Sequence, residues 1–166
     1  MATIQKKVCM LGSYAVGKSS LVRQFISSMF DDKYLATLGV KVDKKSVTVD
    51  GNEVMLMLWD VAGAEDHFSI PMSYCKGSAG YLLVIDSTRR DTLDRALDIA
   101  AEIERSIGRI PVVVALNKID LTEQWALTDA DLAKLATLNC PIIRSSAKTG
   151  EGVEQAFAEL AKRVAK

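Results

Sequence analysis

One stretch of this chain sets residues at a spacing that suits phosphate chemistry. GSYAVGKS, Gly12 through Ser19, fits the pattern GxxxxGK[ST] in full, with an apolar run before it and a helical pattern after it. In that setting successive backbone N–H groups form an anion-binding concavity, and the following helix adds its positive end. Gly12 and Gly17 let the chain turn tightly, while Ser13, Tyr14, Ala15, Val16 and Ser20 complete the phosphate-binding stretch. Lys18 is placed to neutralise the β- and γ-phosphates of a nucleoside triphosphate, and the Ser19 hydroxyl to ligate Mg2+. A chance Gly-Lys-Ser turn is the bland alternative, and the full match in the right setting makes it remote.

The loop alone does not choose a base. LNKIDL closes the apolar run that begins at Pro111, which brings Asn117, Lys118 and Asp120 to the end of a strand. A carboxylate there accepts two hydrogen bonds from the guanine N1–H and exocyclic amino group. Adenine offers no such pair, and a buried carboxylate left unpaired rejects it. SSAKTG follows the last strand-like run and supplies Ser146, Ala147 and Lys148. The Ala147 N–H can donate to the guanine O6, and Lys148 can flank the ring. Each segment alone could be a polar turn capping a strand. Together, in this order, they select GTP and GDP over adenine nucleotides and set aside a P-loop kinase or ATPase.

These loops need a frame that brings them together. KVCML reads as a strand, and Leu21, Val22, Phe25, Ile26 and Met29 recur at helical spacing from Lys18. KKSVTV and EVMLMLW flank Asp50-Gly51, a hairpin signal. Both alternating sets of EVMLMLW are apolar, which predicts a strand buried on two faces, with Trp59 in the core. GYLLVID, PVVVALN and CPIIRSS are further strands. Leu93 to Ile107, TDADLAKLATL with Thr128 as its cap, and Val153 to Val164 are helices. Strands alternating with helices predict a single α/β domain over residues 1–166, its sheet mostly parallel, its helices on both faces and its ligand loops at the carboxyl ends of the strands.

Composition agrees. The chain has 166 residues, with 21 Lys and Arg against 21 Asp and Glu, so bulk charge selects neither nucleic acid nor a membrane surface. Cys9, Cys75 and Cys140 are scattered and form no CxxC pair, which favours reduced thiols in a cytoplasmic protein over a metal site. No apolar run reaches membrane-spanning length, and the chain shows no signal peptide, prenylation cysteine or myristoylation signal, so the expectation is an unanchored monomer.

The phosphate loop, LNKIDL and SSAKTG, joined by WDVAG, YLATLGV, SYCKGSAGYLLVID and SSAKTGEGVEQAF, resemble a small GTPase of the Ras superfamily, most similar to its Rab-like branch. The resemblance covers essentially the whole chain. It implies a P-loop NTPase fold with a six-stranded, mostly parallel sheet, one antiparallel strand and five helices. It also implies a GTP/GDP switch that uses Mg2+, and effectors, exchange factors or activating proteins that read segments 30–40 and 60–76.

By position, Thr37 matches the threonine that meets Mg2+ and the γ-phosphate, and Asp60 the carboxylate that reaches Mg2+ through water. Gly63 matches the glycine whose N–H touches the γ-phosphate, and Phe30 the aromatic against guanine, with a core position as the alternative for Phe30. Tyr34 either covers the phosphates or is exposed. The next position departs from the pattern: Ala64 stands where the family has the glutamine that orients the attacking water. Lys18, Thr37 and Gly63 remain as catalytic candidates beside it. Tyr14 departs too, where relatives carry a small residue near the path of an arginine finger. The expectation is slow GTP hydrolysis, with a pseudo-GTPase scaffold as the alternative. Glu65, Asp66 and His67 are neighbours that could substitute, and His67 reads better as a surface residue. Arg89 and Arg90 read as a solvated turn.

Overall fold

The apolar runs assemble into one twisted sheet. The computed structural model describes residues 3–27, 40–61 and 72–166. Among them run β1 (Thr3–Gly12), α1 (Lys18–Ser27), β2 (Val40–Val49), β3 (Asn52–Val61) and β4 (Gly80–Asp86). The chain continues through α2 (Arg90–Ser106), β5 (Val112–Asn117), α3 (Asp129–Ala136), β6 (Ile142–Arg144) and α4 (Val153–Val164). The strand order is β2-β3-β1-β4-β5-β6. β2 and β3 pair antiparallel and every other pairing is parallel. The hairpin turn works because Asp50 and Gly51 both adopt positive φ, 50° and 80°, the backbone that a two-residue turn of matching twist requires.

The period-two alternation of the strands divides the core. Val8 and Met10 of β1, Leu56 and Leu58 of β3 and Leu82 and Val84 of β4 pack under α1 and α4. Cys9 and Leu11, Leu83 and Ile85, and Val114 and Leu116 pack under α2 and α3 on the other face. The rings of Phe25 and Phe157 stack at 4.1 Å between centroids, which locks α1 to α4. Helix α3 starts on a capping box, with Asp131 N donating to the Thr128 hydroxyl and Thr128 N donating to the Asp131 carboxylate. Among the described residues no helix is long and apolar enough to cross a membrane.

β3 corrects one expectation. Val54, Leu56 and Leu58 are fully buried, but Met55, Met57 and Trp59 on the opposite face are only half-buried. Helix α2 lies over β4 and β1, to one side of β3. Trp59 packs against the margin of the core on that face and carries the Lys7 ammonium 3.8 Å from its ring centroid. Hydropathy alone does not show how far a neighbouring helix reaches.

Candidate functional site

Parallel pairing brings the carboxyl ends of β1, β3, β4, β5 and β6 to one edge of the sheet, so Gly12, Asp60, Asp86, Asn117 and the turn after Arg144 become neighbours. The phosphate loop leaves β1 at Gly12 and enters α1 at Lys18. Gly12 passes so near β4 that a Cβ there would stand 2.6 Å from the Val84 carbonyl oxygen. Inside the loop Ala15 and Gly17 take positive φ, 59° and 99°. Val16 is fully buried, Tyr14 is exposed, and Ser13 and Ser20 are half-buried.

Lys18 is buried at the mouth of the loop, where burial pulls its pKa down and the Asp60 carboxylate pulls it back up. The Ser19 hydroxyl donates to Asp60 Oδ2, which ties α1 to the end of β3. A hydroxyl and a carboxylate side by side next to a lysine are hard oxygen donors, and they fit Mg2+, which is commonly held by one or two protein oxygens together with substrate phosphates. Among the described residues no cluster of three His, Cys, Asp or Glu side chains offers a self-contained metal cage.

Asn117 is buried and works in two directions. Its Nδ2 donates to the Val16 carbonyl at 2.9 Å, and its Oδ1 faces the Ala147 N–H at 3.3 Å and the Ser145 hydroxyl at 3.4 Å. The Ser87 hydroxyl and N–H both hold the Asn117 carbonyl, at 2.7 and 3.0 Å. Lys118, at φ 67°, reaches back to the Ala15 carbonyl at 3.1 Å. Asp120 Oδ1 accepts from the Ser146 hydroxyl at 2.7 Å, and that hydroxyl accepts in turn from Thr149 N–H at 3.0 Å. Gln24 of α1 donates to the Ala147 carbonyl at 3.0 Å, joining the last loop to the first helix. Lys148 is exposed.

The structure therefore gathers Gly12 to Ser20, Asp60, Asn117, Lys118, Asp120 and Ser146 to Lys148 around one edge. Phe30, Tyr34, Thr37, Gly63 and Ala64, with Glu65, Asp66 and His67, lie outside the described residues.

Two further groups belong to this edge: Asp86, which the sequence reading passed over, and Arg89, which it read as part of a solvated turn. Asp86, at the end of β4, is 1% exposed and holds Lys118 Nζ at 2.9 Å and Arg89 Nε at 3.0 Å on Oδ2, with Thr88 N–H and Oγ1 on Oδ1. Burial alone would raise its pKa, but the hydrogen bonds from Thr88 and Lys118 outweigh that and hold the carboxyl below its ordinary range. Its signal was available: GYLLVID ends a buried run on an acid at the same edge. Arg89 and Arg90 keep part of their surface in solvent, as expected of a turn, but each is also tied into the fold. Arg89 Nη2 donates to the Tyr14 carbonyl at 2.6 Å, and Arg90 Nε donates to the buried Asp131 carboxylate at 3.0 Å.

The sequence from residue 7 to 166 matches the model of the Ras family. The chain belongs to that family. It is similar to Ras-related protein Rab-21 of Geodia cydonium, 33% identical over 98% of this chain and 72% of the relative. Ras-related protein Rab-18-B of Danio rerio is 36% identical, over 95% of this chain and 78% of its own length. Ras-related protein RABC2a of Arabidopsis thaliana is 38% identical, over 95% and 77% respectively. The chain is thus a Rab-like small GTPase.

Proposed function

We propose that this Rab-like protein binds Mg2+·GTP and GDP through one G domain spanning residues 1–166, hydrolyses GTP slowly, and acts as a cytoplasmic switch whose partner proteins read segments 30–40 and 60–76. The observation that supports nucleotide binding best is the convergence of Lys18, Ser19 and Asp60 beside a loop held by Asn117 and Lys118. Guanine is the base that Asp120 selects, because only its edge presents two donors to one carboxylate. Mg2+, held by Ser19, Thr37 and Asp60, would supply positive charge to the β- and γ-phosphate oxygens.

Slow turnover rests on Ala64. Alanine has neither donor nor acceptor, so an attacking water is not oriented from that position, and each tenfold loss of rate is about 1.4 kcal/mol of barrier. Lys18, Thr37 and Gly63 still act on the γ-phosphate, so hydrolysis is slowed rather than abolished. The second reading, a scaffold that holds nucleotide without turnover, draws on Tyr14, which is 37% exposed on the phosphate loop beside the approach an activating arginine would use.

Single-turnover phosphate release from Mg2+·GTP tests the proposal. The expected rate lies below the ~3–5 × 10⁻⁴ s⁻¹ of an unassisted relative that carries the glutamine, and Ala64→Gln is expected to raise it. A wild-type rate at or above that value overturns slow hydrolysis. No phosphate release over many hours, with bound GTP intact, selects the scaffold.

A further inference from the structure

Three consecutive carbonyls of the phosphate loop are each held by a side chain from behind. Tyr14 O accepts from Arg89 Nη2 at 2.6 Å, Ala15 O from Lys118 Nζ at 3.1 Å and Val16 O from Asn117 Nδ2 at 2.9 Å. The chain has no cis peptide among the described residues. In a planar trans peptide the C=O and the following N–H point in opposite directions. Pulling these three carbonyls toward β4 and β5 therefore turns the N–H groups of Ala15, Val16 and Gly17 the other way, into the concavity that receives an anion.

Asn117 and Lys118 belong to the guanine-selecting stretch, but Arg89 does not. It is the N-cap residue of α2, and its position is fixed before its side chain is considered. Its N–H donates to the Asp86 carbonyl at 3.0 Å, and its own carbonyl accepts from the Thr92 hydroxyl at 2.7 Å. Its Nε then rests on the Asp86 carboxylate at 3.0 Å, which leaves Nη2 aimed at the Tyr14 carbonyl. A guanidinium spans these two acceptors with donors in fixed relative positions. Two cations share one carboxylate here, so the Asp86, Lys118 and Arg89 group carries a net positive charge behind the loop.

We propose that Arg89 is a positioning residue for nucleotide retention: anchored on Asp86, it fixes the Tyr14 carbonyl, orients the Ala15 N–H toward phosphate and slows the escape of bound nucleotide. This rests on the reading of the site as a guanine-nucleotide site. Arg89 acts through the loop, so the grip on phosphate depends on it and the choice of base does not.

The test uses the full chain loaded with fluorescently labelled GDP and chased with excess unlabelled GDP. Arg89→Ala is expected to speed dissociation about tenfold, which corresponds to about 1.4 kcal/mol, while the GTP-over-ATP preference stays at the wild-type value. Arg89→Lys is expected to recover most of the loss. Millimolar ethylguanidinium should slow release from Arg89→Ala and leave wild type unchanged, which a general loosening of the fold would not reproduce. If Arg89→Ala does not fold, the same measurements are made on Arg89→Gln. An unchanged dissociation rate, or an acceleration that neither the lysine nor ethylguanidinium corrects, overturns the proposal. Failure of wild type to bind labelled GDP at all would instead remove the underlying reading, and the two outcomes are distinct.

Discussion

Asn117 Nδ2 donates to the Val16 carbonyl at 2.9 Å, so the residue that ends β5 also fixes the floor of the phosphate loop. The same nitrogen lies 2.4 Å from where a Cβ on Gly17 would stand, and Gly17 has φ 99°. Crowding and left-handed backbone both exclude a side chain there. Gly17→Ala is expected to cost at least about 1–2 kcal/mol of stability and to weaken GDP binding, because the Asn117 bond must break to admit the methyl group. Thermal unfolding and GDP titration check both parts.

Ala15 shows the opposite situation. It carries a Cβ at φ 59°, in a region that costs an L-residue about 1–2 kcal/mol. Ala15→Gly removes that strain and adds back about 0.5–1 kcal/mol of unfolded-chain entropy. A small net gain, of the order of 0.5 kcal/mol, is expected in the denaturation midpoint, with Ala15→Val moving it the other way.

Base choice is predicted to fail separately from phosphate grip. Asp120 is half-buried and held by the Ser146 hydroxyl at 2.7 Å, which orients the carboxylate without neutralising it. Asp120→Ala is expected to lower the GTP-over-ATP ratio in competition binding by at least about 100-fold. An unchanged ratio would place guanine recognition elsewhere.

Asp86 sets an acid limit. Its folded-state pKa lies below the ordinary carboxylate value, so the folded state favours the ionised form. The stabilisation is therefore fully present above the unfolded-state pKa of about 3.9 and is lost as pH falls through the lower folded value. Asp86→Asn is expected to be less stable than wild type at neutral pH, because Lys118 and Arg89 lose their shared anion. The gap should narrow as the medium is acidified below about pH 4. Denaturant midpoints measured against pH give the two curves.

The phosphate loop was legible because its meaning is local: eight adjacent residues and the elements on either side define it. LNKIDL and SSAKTG were legible because each ends a strand-like run, and parallel strands deliver such ends to one edge. Arg89 was not. Its acceptor, the Tyr14 carbonyl, lies 75 positions away in sequence, and a main-chain acceptor leaves no trace in residue type. Arg90 failed to show for a related reason, since Asp131 looks like an ordinary first-turn acid until α2 and α3 are seen side by side. β3 read as buried on both faces because composition reports how apolar a strand is and not what covers it, and Trp59 reaches only the margin of the core. The roles of Thr37, Gly63 and Ala64 stand on pattern and resemblance.

The two ends of the sheet differ in how they meet other molecules. At one rim β6 is only three residues long, too short to template another strand, and at the other β2 runs ten residues with Lys41 and Lys44 exposed along it. Lysines along an edge strand discourage edge-to-edge pairing between copies, although Lys41 shares its charge with Asp43 at 3.7 Å. The same lysines would attract an acidic extended peptide, so the charges that discourage self-aggregation favour a foreign strand of opposite sign.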